Sequence, residues 1–189
     1  MGFQDLRKLE EKKHFWLVGK QKLIKNIIER HEPKALLDIG CGTGSLLKCL
    51  AQKPIKITGI DSHREAIDFC KKTLPEATFI QEDARKLSIV DKSFDFVLAS
   101  DVLEHAPDDE SLVKEAFRVL KTGGNILVTA PAHKSLFGKR DIDAGHQRRY
   151  SKNELKDKLR NAGFSVKYLN HYNFFLFPLM LMSRALRLN

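Results

Sequence analysis

The stretch Leu36-Leu-Asp-Ile-Gly-Cys-Gly-Thr-Gly44 runs from apolar residues through an acid into three glycines at alternate positions. It reads as a buried strand that breaks into a tight turn and then opens a helix. Without a Cβ, Gly40, Gly42 and Gly44 can take positive φ and let backbone approach a bulky polar group closely. The N–H groups of the following helix would face the same spot. The stretch therefore predicts a nucleotide-type pocket at the carboxyl end of a strand.

Outward from this turn, short apolar runs alternate with amphipathic ones. Strands are expected over 35–39, 56–60, 78–81, 94–100 and 125–131, with helices over 45–52, 63–74 and 109–120 between them. Near-continuous apolar strands separated by helices predict a parallel sheet covered on both faces. Right-handed crossovers make it a doubly wound, Rossmann-like α/β fold. Ligands in such sheets bind beyond the carboxyl ends of the strands, where the glycine turn lies. Ahead of the sheet, residues 3–31 carry Leu17, Leu23, Ile24, Ile27 and Ile28 at mostly helical spacings and stop at Pro33. Beyond it, 132–150 reads as a polar loop. A helix from Ser151 follows, opened by a capping box with Glu154, and 164–170 reads as a sixth strand. The expected organisation is one domain over 1–189: a helical cap (1–33), a cofactor-binding core (34–131), a substrate-side loop (132–150) and an apolar tail (172–189).

Bulk properties narrow the class. At 42% hydrophobic and 30% charged residues, the 189-residue chain fits a soluble globular protein rather than a disordered one. Cys41, Cys49 and Cys70 match no metal-ligand spacing, so no metal site is expected. Their odd number argues against a disulfide framework and for a reducing, cytoplasmic location. The first eleven residues are polar and do not read as a signal peptide. Lys and Arg exceed Asp and Glu by 33 to 24, a net charge of +9, which suits either a plain basic surface or an anionic partner. No arginine-rich block with interleaved aromatics marks a nucleic-acid stripe. The apolar block 174–182 holds Pro178 and is too short to span a bilayer. It suits a peripheral membrane or lipid contact, or packing on the sheet or on a second copy. Oligomeric state is left open.

The glycine spacing decides between cofactors. A dinucleotide fingerprint needs Gly-x-Gly-x-x-Gly, and Ser45 occupies its third position, which disfavours an NAD-linked oxidoreductase. Asp38-x-Gly40-x-Gly42-x-Gly44 resembles instead the first motif of class I S-adenosylmethionine-dependent methyltransferases. The resemblance continues in order. Asp61, with Ser62 after it, ends the second strand where a carboxylate can accept both ribose hydroxyls, a role compatible with capping the next helix. Gln81-Glu-Asp83-Ala84 matches the acidic segment near the adenine amino group. Phe94 to Ser100 and on to His105 resembles the fourth motif, and Leu120-Lys-Thr-Gly123-Gly124 the turn before strand five. The resemblance covers about 36–131. It implies S-adenosylmethionine as methyl donor and S-adenosylhomocysteine as product, held by Asp38, Gly40, Cys41, Gly42, Gly44, Asp61, Ser62, Asp83, Ala84 and Ser100.

The flanks resemble a bacterial subgroup of that family. His14-Phe15-Trp16 with Lys20 four residues on, and Asp141-x-x-x-Gly145-His146-x-Arg148-Arg149-Tyr150, carry the likeness. It implies Trp16 and Lys20 as lid residues over the cofactor, with a core role for Trp16 as the alternative. Members of the subgroup lie near cell-surface polysaccharide and lipid biosynthesis functions, which implies a small-molecule or lipid acceptor. The subgroup chain normally continues to a seventh strand, so this sequence is expected to be a truncated form. His146 and His105 are the candidate bases for a hydroxyl acceptor, with Tyr150 and Asp141 as partners. Arg148 and Arg149 suit either an acidic acceptor, gripped bidentately, or the anchoring of their loop through carboxylates such as Asp141. Nucleic-acid methylation is disfavoured, since Ser100-Asp-Val-Leu replaces the Asn/Asp-Pro-Pro-aromatic motif. The reading of a different class is a catalytically silent module that binds the cofactor only.

Overall fold

The computed structural model describes residues 7, 8, 12 and 15–172, apart from the side chain of Trp16. His14, that side chain and residues 173–189 of the expected tail lie outside the described residues. Five parallel strands form the sheet: β1 (Ala35–Ile39), β2 (Lys56–Asp61), β3 (Thr78–Gln81), β4 (Phe94–Ser100) and β5 (Leu120–Thr129), in the spatial order β3-β2-β1-β4-β5. Every pairing is parallel, and Asp38 stands between Gly59 and Leu98. The chain leaves β1 toward β2 and β3 and returns to β4 on the other side. The ends of β1 and β4 thus form the switch point where such folds bind ligands.

Alternation along each strand divides the core. Leu36, Phe96 and Leu98 face one layer, where they pack with Ile24 and Ile28 of α1 (Phe15–His31), Leu47 of α2 (Ser45–Lys48) and Ile67 of α3 (Arg64–Thr73). Leu37, Ile39, Val97 and Ala99 face the other, against Leu112, Val113 and Ala116 of α4 (Asp109–Val119) and Leu155 and Leu159 of α6 (Lys152–Asn161). Each such buried aliphatic side chain contributes about 1.5–3 kcal/mol. This two-layer burial is why the strands read as near-continuous apolar runs.

Four expectations change. β5 is Leu120–Thr129 rather than 125–131, so Leu120 to Gly124 lie within the strand instead of in a turn before it. The helix after the glycine turn is a single turn, α2, rather than 45–52. The loop 132–150 contains a 3₁₀ turn (Lys134–Leu136) and α5 (Lys139–Asp143). Residues 164–170 pair with no strand among the described residues: Phe164, Val166 and Leu169 pack against the α4 and α6 layer without a described ladder. Alternating apolar residues satisfied that surface, and hydrogen-bond partners were what the strand lacked. The capping box is present, with Ser151 Oγ accepting from Glu154 N at 3.2 Å. Ser151→Ala is expected to destabilise by about 1 kcal/mol, lowering the thermal midpoint by about 2–4 °C. An unchanged melt would mean that the α6 cap contributes nothing.

Candidate functional site

The carboxyl ends of the strands open into a cavity of about 700 Å³. Gly40, Cys41, Gly42 and Thr43 line one part of it. The turn is tied to the neighbouring strand, since the N–H groups of Gly40 and Cys41 both donate to the Ile60 carbonyl, at 2.8 and 2.9 Å. Gly40 has φ +73°, and a Cβ there would lie 2.7 Å from Val102 Cγ2. Gly44, at φ +66°, has no room either, because a Cβ would meet Cys70 Sγ at 2.9 Å. Gly44 does not line the cavity. It shapes the turn from behind.

Asp61, at the end of β2, locks the turn from the other side. Its Oδ2 accepts the Gly42 N–H at 3.0 Å and its Oδ1 accepts the His63 N–H at 2.9 Å. The capping position of α3 is His63, so Asp61 is not the helix cap. Asp38 is buried beside it at 4% exposure. Burial and the nearby Asp61 charge push its carboxyl up to about 8, against the pull of Lys20. Ser62, Asp83, Ala84 and Ser100 also line the cavity. Asp83 is held below the usual carboxylate range by Arg85, whose Nε donates to its Oδ1 at 2.9 Å.

Lys20 reaches the cavity from α1 and pairs with Asp101. Asp101 also accepts from Thr129 Oγ1 at 2.8 Å, and Thr129 Oγ1 lies 3.0 Å from Ser100 Oγ. Asp101 adopts φ +52°, a conformation unusual for a non-glycine residue. Sequence reading passed over Asp101. Its position directly after β4, at the switch point, was the available signal.

A second part of the wall carries Glu104, His105 and His146. The histidine rings meet edge to face, centroids 4.9 Å apart. His105 Nδ1 sits 3.1 Å from the Gly145 carbonyl and His146 Nδ1 3.1 Å from Asp141 Oδ1. Burial and the His146 ring together draw the His105 pKa below its usual value. Glu104 is 1% exposed; burial and Asp101 push its carboxyl up to about 8. It too was missed, because nothing in the sequence distinguishes it from other acids ahead of a helix.

Residues 37–128 match the family model described as a methyltransferase domain. This segment is similar to class I methyltransferase domains. A probable S-adenosylmethionine-dependent methyltransferase of Mycolicibacterium smegmatis is 27% identical over 82% of this chain and 61% of its own length. The crystal structure of an S-adenosylmethionine-dependent methyltransferase from Methanosarcina mazei aligns with TM-score 0.65 at 29% identity, over 75% of this chain and 85% of that one. The crystal structure of the [4+2]-cyclase SpnF aligns with TM-score 0.68 at 28% identity, over 78% of this chain and 58% of that one. The chain spans between 56% and 61% of the length of three curated relatives that it matches. Family and relatives together imply S-adenosylmethionine as the cofactor.

Four residues expected to act on substrate are not brought to the cavity: Asp141, Arg148, Arg149 and Tyr150. Each is engaged in internal pairing. Asp141, 1% exposed, accepts from Gly138 N at 3.0 Å and from Arg149 Nε at 2.7 Å, and its Oδ1 lies 3.1 Å from His146 Nδ1. Arg149 also donates to the Ala132 carbonyl at 3.0 Å, so it anchors the loop. Tyr150 is 2% exposed and donates to Asp109 Oδ2 at 2.6 Å, while Arg148 Nη1 lies 3.1 Å from Asp109 Oδ1. These residues therefore brace the histidine wall from behind. No helix among the described residues is long and apolar enough to cross a membrane.

Proposed function

We propose that this protein transfers the methyl group of S-adenosylmethionine to a small-molecule or lipid acceptor, a polysaccharide precursor included. The observation that carries the reading is the carboxylate pair Asp38 and Asp61 beside the glycine turn. One is buried with its pKa raised to about 8; the other is fixed by the turn's own N–H. A buried carboxyl of raised pKa is relieved by a cation beside it, as the cofactor's ammonium would supply. Asp61 keeps lone pairs for two ribose hydroxyls, since a carboxylate offers about four acceptor sites. Asp83 and Ala84 flank the adenine, while Cys41, Ser62, Ser100 and Lys20 complete the cofactor wall, with Trp16 assigned there by the flank resemblance alone. Bound, the cofactor supplies a methyl on a sulfonium that is already a good leaving group.

The protein's own work is then to orient the acceptor, exclude water and receive its proton. His105 and His146 serve the acceptor side. With Nδ1 donating to a carbonyl or a carboxylate, each ring keeps an Nε2 lone pair that can take a proton from a hydroxyl. A cytoplasmic location, with membrane contact through 172–189, belongs to the same reading.

The cyclase likeness favours keeping the silent-binding alternative, since one fold supports several chemistries. Incubation of the protein and a cell extract with cofactor labelled in the methyl group separates the two. Label is expected in a small or solvent-extractable product. Binding of S-adenosylhomocysteine without any labelled product would establish the silent module instead.

A further inference from the structure

We propose that Glu104, His105 and His146 form a binding site for a divalent transition-metal ion on the wall of the cofactor cavity. One donor atom of each lies within 4.8 Å of the others. Glu104 Oε2 is fully buried and has no hydrogen-bond partner among the described residues, although buried oxygens are nearly always satisfied. Its residue is 1% exposed and lines the same cavity wall as the two histidines. The orphan acceptor calls for a donor or a cation.

Both histidines are prepared as ligands. Their Nδ1 atoms engage the Gly145 carbonyl and the Asp141 carboxylate, which fixes the proton on Nδ1 and leaves Nε2 as the free electron pair. A ligating histidine usually donates its other N–H to a carbonyl or carboxylate in this way. Neither Nε2 has a partner among the described residues.

Backbone hydrogen bonds hold the ligands in register although 41 positions separate His105 from His146. Gln147 N donates to the Glu104 carbonyl at 2.8 Å, and Gln147 Nε2 donates to the His105 carbonyl at 3.1 Å. Among the described residues, the nearby cations Lys20 and Arg149 are already paired, with Asp101 and Asp141. Metal bonds of about 2.1 Å set donor separations of about 3.0–3.4 Å, so small side-chain rotations complete the site. Two imidazoles and one carboxylate suit zinc, iron, cobalt or manganese better than magnesium. Three protein ligands leave positions open for an oxygen of the acceptor. That last role rests on the methyltransferase reading; with the ion bound, activation of the acceptor passes from the Nε2 lone pairs to the ion.

The test uses Co²⁺ alone, titrated into the untagged full chain and followed by its visible absorption and by calorimetry. One equivalent with a protein-bound cobalt spectrum is expected. His146→Ala and Glu104→Gln should each weaken binding by at least about 100-fold. Asp141→Asn, which weakens the partner of His146 together with the Arg149 ion pair, should weaken it by about 10–100-fold. His133→Ala should leave it unchanged, although His133 stacks on His171 with centroids 4.8 Å apart. Thermal melting verifies that each variant is folded. Wild-type protein without a saturable cobalt spectrum overturns the site, whatever the variants do. So does binding that is lost in His133→Ala and kept in His146→Ala. Neither cofactor nor acceptor is present, so failure here leaves the methyl-transfer assay untouched, and the reverse holds.

Discussion

Asp61→Ala is expected to lower the affinity for S-adenosylhomocysteine by at least about 100-fold, measured by calorimetry. The carboxylate accepts the Gly42 N–H at 3.0 Å and the His63 N–H at 2.9 Å, and under the proposed function it also receives the ribose hydroxyls. Hydrogen bonds to a charged group contribute about 1.5–3 kcal/mol each, so losing two ribose contacts alone accounts for the drop. Loosening of the glycine turn adds to it. Affinity within about threefold of wild type would remove Asp61 from the cofactor site.

The same substitution carries a pH signature. Burial and the Asp61 charge raise the Asp38 carboxyl from 3.8 to about 8 in the folded protein. The folded chain therefore keeps a proton that the unfolded chain has released. Stability from this group is fully present below pH 3.8 and is lost as pH rises to about 8. In Asp61→Ala the like charge is gone, and ligand-free stability should fall less over that window. An identical pH dependence in both proteins would mean that Asp61 does not act on Asp38.

Asp109→Ala is expected to destabilise the fold by about 3–5 kcal/mol, the usual range for removing one partner of a buried ion pair. Asp109 is 3% exposed and accepts from Tyr150 OH at 2.6 Å and from Lys158 Nζ at 2.9 Å, with Arg148 Nη1 3.1 Å away. The substitution leaves the buried Tyr150 hydroxyl without its acceptor and removes the carboxylate from two cations, Lys158 retaining Glu110 and Arg148 the Pro107 carbonyl. Tyr150→Phe removes one neutral donor from the same hub and should cost about 1 kcal/mol. Denaturant unfolding checks both, and equal effects would contradict the assignment of Asp109 as the hub. Burial alone would raise the Asp109 carboxyl, but the Tyr150 and Lys158 hydrogen bonds and the Lys158 and Arg148 charges outweigh it and hold it below its ordinary value. Its contribution is therefore present above the ordinary carboxylate range and is lost as acid protonates it in the folded state.

What could be read along the chain was what depends on near neighbours. β1, β3 and β4 begin and end where the apolar runs do, and the Ser151–Glu154 box caps α6. Strand-like alternation at 164–170 misled because it reports a face to bury, whereas a strand also needs a hydrogen-bonded neighbour. Tyr150 and Arg149 were ambiguous for a related reason. Their residue types suit both catalysis and internal bracing, and only the positions of Asp109 and Asp141 decide between the two.

From sequence alone came the parallel sheet and the glycine turn, because hydrophobic period and glycine spacing are local properties of the chain, and the resemblance of its ordered motifs implied the cofactor. Tertiary structure decided which side chains share the cavity. Asp101 and Glu104 enter it, Asp141 and Tyr150 stand behind it, and His105 meets His146 across 41 positions. The physical reason is that burial and charge pairing depend on distance in space, and the return of the chain after β5 brings those residues together.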